Sequence, residues 1–196
     1  MFDERLWRMI KLIVKRFIKN SENVSDKKVR ESYGILGGVL GIICNTFLFV
    51  LKLCAGTVMN SIAIISDAFN NLSDMGSSLV TIIGTKLSGK RPDKEHPFGH
   101  GRLEYISSLI VSFIILLMGF ELLKSSAVKI FKPEKMNFSL PVILILSLSV
   151  LVKVWLYFSG KYMGEKINSS TLKAAARDWL NDVIATSAVI LTTVIG

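Results

Sequence analysis

Four aspartates, Asp67, Asp74, Asp178 and Asp182, stand in stretches otherwise rich in Ile, Leu, Val and Ala. A carboxylate at the middle of a membrane-spanning helix costs ~2.5–3.5 kcal/mol on the insertion scale, so Asp67 and Asp74 together penalise one helix by roughly 5–7 kcal/mol. Asn70 and Asp74 are four residues apart and share a helix face, with Asp67 two turns from Asp74 on nearly the same line. Asp178 and Asp182 repeat the spacing. If the two faces meet, three carboxylates and one amide oxygen converge, and a divalent cation is the natural relief for their repulsion. Offsets of three and four share a face, so spacing leaves open whether Asn70 or Asn71 joins Asp74, and whether Asn181 belongs with Asp178. A lone intramembrane Asp or Asn often only ties helices together. A matched pair of pairs suits coordination better. Asn45 reads as a packing residue, and Lys52 and Lys153 lie nearer span ends, where snorkelling accounts for them. A second cluster, Asp93, His96 and His100, holds both histidines of the chain. His-x-x-x-His preceded by Asp is metal-binding geometry for a membrane surface, although Pro97, Gly99 and Gly101 could simply set a tight turn.

The elements that must carry these residues are helices. Of 196 residues, 51% are hydrophobic, and the mean hydropathy is +0.49, too apolar for one water-soluble domain. The apolar residues come in blocks: 34–58, 105–123, 140–159 and 174–195, each about the ~20 residues that cross a hydrocarbon layer. The segment 61–87 is interrupted by polar residues but contains no Pro, and reads as a fifth span with a polar waist. Nine Lys and Arg precede the first span, five lie in 86–102 and four in 161–177, against four on the opposite side. Eighteen against four puts the N-terminus in the cytoplasm. The expected fold is therefore an all-α polytopic helical membrane protein. A basic leader and linker (1–33) precedes a transmembrane domain (34–196), and Leu6, Ile10, Ile13, Val14 and Phe17 recur at the spacing of an amphipathic helix that could lie on the inner leaflet. Anionic lipid accounts for the net charge of +9, and no basic stripe is interleaved with stacking aromatics, which argues against a nucleic-acid partner. Cys44 and Cys54 are ten residues, or about 15 Å, apart along one helix, too far to bridge.

Three segments together, Ser66–Ser78 (SDAFNNLSDMGSS), His96–Arg102 (HPFGHGR) and Arg177–Val183 (RDWLNDV), resemble the cation diffusion facilitator family of divalent-metal transporters in order and spacing. The resemblance implies six membrane helices, a homodimer, and export of metal from the cytoplasm in exchange for protons, with no prosthetic group and no enzymatic activity. It implies a site built from the second and fifth helices, and alignment on the motifs selects Asn70, Asp74, Asp178 and Asp182. It also implies a cytoplasmic-side metal at Asp93, His96 and His100. Zinc members usually carry His in the membrane site, whereas all four donors here are oxygens. Oxygen-only sets suit harder ions, so manganese is the expected cargo, with Fe2+, Co2+ and Zn2+ behind it. With no imidazole available, the exchanged protons would reside on the aspartates. The expected location is the plasma membrane. Against the family pattern, 34–196 is expected to lack a sixth helix and a cytoplasmic C-terminal domain. Two readings from other classes are a passive divalent channel and an intramembrane aspartyl hydrolase. The latter needs Tyr-Asp and Gly-x-Gly-Asp settings that do not occur here.

Overall fold

The computed structural model describes residues 2–59, 62–90, 97–131 and 140–195. They form six helices: α1 (Phe2–Phe17), α2 (Lys27–Val58), α3 (Ile62–Ser88), α4 (Arg102–Phe131), α5 (Leu140–Lys166) and α6 (Ser170–Ile195). Three are long and apolar enough to cross a membrane: α2, the Arg102–Glu121 part of α4, and α5. The helices α3 and α6 have comparable length but carry the aspartates. The polar waist does not break α3, because its hydroxyls turn back on their own helix: Ser78 Oγ donates to the Asp74 carbonyl (2.9 Å) and Thr81 Oγ1 to that of Ser77 (3.0 Å). The helices outrun the apolar blocks, α5 by seven residues beyond Ser159.

The helices α2, α3, α5 and α6 pack as a four-helix core, with α4 outside against α3 and α6. Small residues set the close approach. A β-carbon at Gly38 would meet Ile82 and the Ser78 carbonyl of α3, and α2 buries Gly34, Gly37, Gly38 and Gly41 along one stripe. Trp179 is the wedge that seats α6. Its indole fills the space that a β-carbon at Gly160 of α5 or Gly41 of α2 would take, and it packs on Leu156 and Ala176. A short turn joins α5 to α6, with Asn168 in the left-handed region (φ 50°) and the Ser169 amide donating to the Gly164 carbonyl at 2.9 Å.

The leader folds onto the body. Ile10 and Val14 of α1, with Ile18 just beyond it, are buried against Val29 and Tyr33 of α2 and Met163 of α5. Phe17 turns outward with Met9 and Leu12, so the face expected on the lipid is divided between protein and surroundings. The polar end of the expected 1–33 leader and linker is already helical: Asp26 caps α2 by accepting from the Lys28 amide (2.9 Å), and the helix begins at Lys27.

Candidate metal site

The helices α3 and α6 run antiparallel, so the outer residue of one four-residue pair meets the outer residue of the other. Asn70 Nδ2 donates to Asp182 Oδ1 at 3.4 Å. One turn further in, Asp74 is fully buried, and Asp178, 3% exposed, has Asp74, Asp182 and Lys153 as its charged neighbours. The alternatives that spacing left open separate by orientation. Asn71 is buried but its amide donates to the Asp67 carbonyl of its own helix (2.9 Å), and Asn181 is exposed. Asn45 likewise donates to the Gly41 carbonyl of its own helix (3.0 Å).

The centre of the cluster holds a residue that reading the sequence placed elsewhere. Lys153 Nζ lies 2.5 Å from Asp74 Oδ2 and 2.6 Å from Asp182 Oδ2, and its side chain is 4% exposed. The snorkelling expectation assumed a helix ending near Ser159. Because α5 runs from Leu140 to Lys166, Lys153 stands thirteen residues from either end, about 20 Å from each, far beyond the reach of a lysine stem. Lys52 is also buried rather than snorkelling, paired to Asp67 at 2.8 Å. The signal that could have found both was charge balance. A buried aspartate needs a partner, and apart from Lys86 in the last turn of 61–87 only Lys52 and Lys153 lie inside spans.

Two oxygens of the cluster remain open. Asp74 Oδ1 and Asp178 Oδ2 are buried without a hydrogen-bond partner, a costly state for a carboxylate unless another cation takes it up. In the geometry observed, no three of the described His, Cys, Asp and Glu side chains are gathered closely enough to hold an ion. The ammonium lies between Asp74 and Asp182 instead, while Asp178 flanks them. Of the second cluster, Asp93 and His96 lie outside the described residues. His100 is half-buried just before α4, and its carbonyl accepts from the Leu103 amide (2.9 Å). Among the described residues no ion pair joins Arg102 to Glu104. Both line a cavity of about 400 Å3 that opens at the end of the bundle shared with Arg30, Asn168 and Ser170.

The model of the cation efflux transmembrane domain matches residues 38–196. The chain belongs to the cation diffusion facilitator family. Cation diffusion facilitators are integral membrane transporters rather than enzymes, which removes the hydrolase reading. Relatives include the magnetosome protein MamM of Paramagnetospirillum magneticum, 36% identical over 157 residues, 79% of this chain and 49% of that protein. The manganese efflux system protein MneS of Bacillus subtilis is 32% identical over 149 residues, 76% of this chain and 51% of that protein. The manganese efflux system protein MneP of the same organism is 29% identical over 171 residues, 85% and 57%. The chain spans about half the length of the curated relatives it matches.

Proposed function

We propose that this protein exports a divalent metal, manganese first, from the cytoplasm across the plasma membrane in exchange for protons. The transport site is Asn70, Asp74, Asp178 and Asp182. The observation that carries this reading is the convergence of α3 and α6 donors on one buried cation, with two carboxylate oxygens still unpartnered. Five spans, α2 to α6, with the basic ends inside, agree with cargo entering from the cytoplasm through the cavity beside Arg102 and Glu104.

The donor chemistry favours manganese. Mn2+ sits at the weak end of the usual affinity order, so a site cannot select it by binding harder; withholding nitrogen and sulfur is the available means. Two relatives are named for manganese efflux, which supports the same choice. Metal arriving from inside takes the carboxylates, the site turns outward by alternating access, and protons arriving from outside release the ion. The family resemblance supports a homodimer and a second metal at Asp93, His96 and His100.

The test is Mn2+ transport by the full-length protein in proteoliposomes under an imposed pH gradient, with Fe2+, Co2+ and Zn2+ as competitors. The expected result is manganese-preferring flux that collapses with the gradient and is lost in Asp178→Ala. Wild-type flux in that variant ends the site assignment, and flux indifferent to the gradient identifies a passive channel.

A further inference from the structure

We propose that the Lys153 ammonium holds the metal's own position in the empty site and must be displaced by the arriving ion, so that it is a tethered competitor that excludes monovalent cations. The inference rests on the reading of Asn70, Asp74, Asp178 and Asp182 as the transport site, and deepens it.

Position is the first argument. Hard divalent ions hold carboxylate oxygens at about 2.0–2.6 Å. Nζ of Lys153 stands 2.5 and 2.6 Å from one oxygen of each of Asp74 and Asp182, so a metal bridging those two oxygens would overlap the ammonium. The two cannot be bound there together.

Charge is the second. Asp74, Asp178 and Asp182 face one lysine, leaving two carboxylate charges uncompensated when all groups are ionised. A sodium or potassium ion that displaced the ammonium would bring no additional charge. It would also give up its hydration and its freedom in solution to replace a cation already held by its own backbone. A doubly charged ion brings one charge more than the group it displaces, and the unpartnered Asp74 Oδ1 and Asp178 Oδ2 stand ready to accept it. The lysine therefore sets a threshold that valence can cross and monovalent concentration cannot. Its return to the oxygens when the metal leaves also opposes rebinding, so release is part of its role.

The experiment compares Mn2+ binding by the full-length detergent-solubilised protein, read by electron paramagnetic resonance, in choline and in sodium chloride of equal ionic strength. Wild type, Lys153→Met, Lys153→Gln and Lys153→Arg are taken through the same titration. Removing the competitor is expected to tighten Mn2+ binding at least tenfold in choline and to create a sodium sensitivity that wild type lacks. In proteoliposomes KM falls and the maximal rate falls with it, because nothing then displaces the bound ion. Lys153→Arg, which keeps the charge in a bulkier and more firmly paired group, is expected to bind no tighter than wild type. If Lys153→Met does not fold, Lys153→Gln and Lys153→Arg decide the matter by the same signs. Unchanged or weaker Mn2+ binding in a folded neutral variant, with no sodium effect, overturns the proposal. Asp178→Asn in the same titration separates the two failures. Loss of binding there with no change in the lysine variants sinks only the competitor, whereas wild-type binding in Asp178→Asn sinks the site itself.

Discussion

Lys52 and Lys153 each end on an aspartate of α3, two helical turns apart, yet their surroundings are built to different charge counts. Lys52 meets Asp67 alone, and that carboxylate keeps 30% of its side-chain surface exposed. The pair is neutral and complete, a tie between α2 and α3 near their outer ends. Lys153 meets Asp74 and Asp182 with Asp178 beside them, all shielded by α2, α3, α5 and α6. One lysine cannot neutralise three carboxylates, and a bundle that needed only a structural tie would not retain the surplus, since each unpaired buried charge costs several kcal/mol. The difference teaches that a buried aspartate in this protein is not itself the mark of cargo. An excess of aspartates over built-in cations is.

The harshest way to break that comparison is to remove one aspartate from each lysine. Asp74→Ala takes a fully buried partner from Lys153, and the expected loss is about 3–5 kcal/mol of stability together with Mn2+ transport. Asp67→Asn leaves the buried Lys52 ammonium an amide oxygen to donate to, beside a carboxylate position that is 30% exposed, and a smaller loss of about 1–3 kcal/mol is expected, with Mn2+ affinity within twofold of wild type. Denaturation in detergent and Mn2+ titration measure both. Equal stability losses, or loss of Mn2+ binding in Asp67→Asn, would dissolve the distinction between tie and site.

A gentler change sharpens the same contrast by altering donor chemistry. Asp178→His gives the cluster one imidazole and removes one carboxylate. Competition is expected to move toward Zn2+ on the order of tenfold, a difference of about 1.4 kcal/mol. An unaltered Mn2+/Zn2+ ratio would show that oxygen-only coordination is not what selects the ion.

Most of this architecture could be read from residue order, because the physics that sets it is local or one-dimensional. Apolar block length gave α2, α4 and α5, and the absence of Pro in 61–87 gave an unbroken α3. The four-residue spacing placed Asp74 and Asp178 on faces that do approach. What resisted reading was any feature set by where a helix ends or what packs across it. The apolar run stops at Ser159, which puts Lys153 near a span end, whereas α5 continues two further turns through Gly160 and Gly164, in close contact with Trp179 and Leu172. Once those turns exist, the lysine is at mid-depth. The choice between Asn70 and Asn71 likewise depended on rotation about α3, which spacing alone does not fix, and Ile10 and Val14 met protein where a lone amphipathic helix would meet lipid.

The smallest effect belongs to a third pair, at the solvent-exposed extreme of the same scale. Lys166 at the end of α5 donates to Glu22 at 2.8 Å, joining the linker to the bundle. That hydrogen bond first, and the charge of Lys166 second, hold the Glu22 carboxyl below its ordinary range. A lowered folded-state pKa contributes stability above the unfolded value and loses it as pH falls through the folded one. Glu22→Gln should therefore lower the melting temperature slightly at neutral pH and low salt, and not at all in acid below the glutamate range. Raising the salt should erase the difference at neutral pH as well, because nothing shields an exposed pair from counterions. Mn2+ transport is expected to stay at the wild-type rate throughout. A melting difference that persists at high salt would mean that the Glu22 contact acts through packing of the leader on α5 rather than through charge.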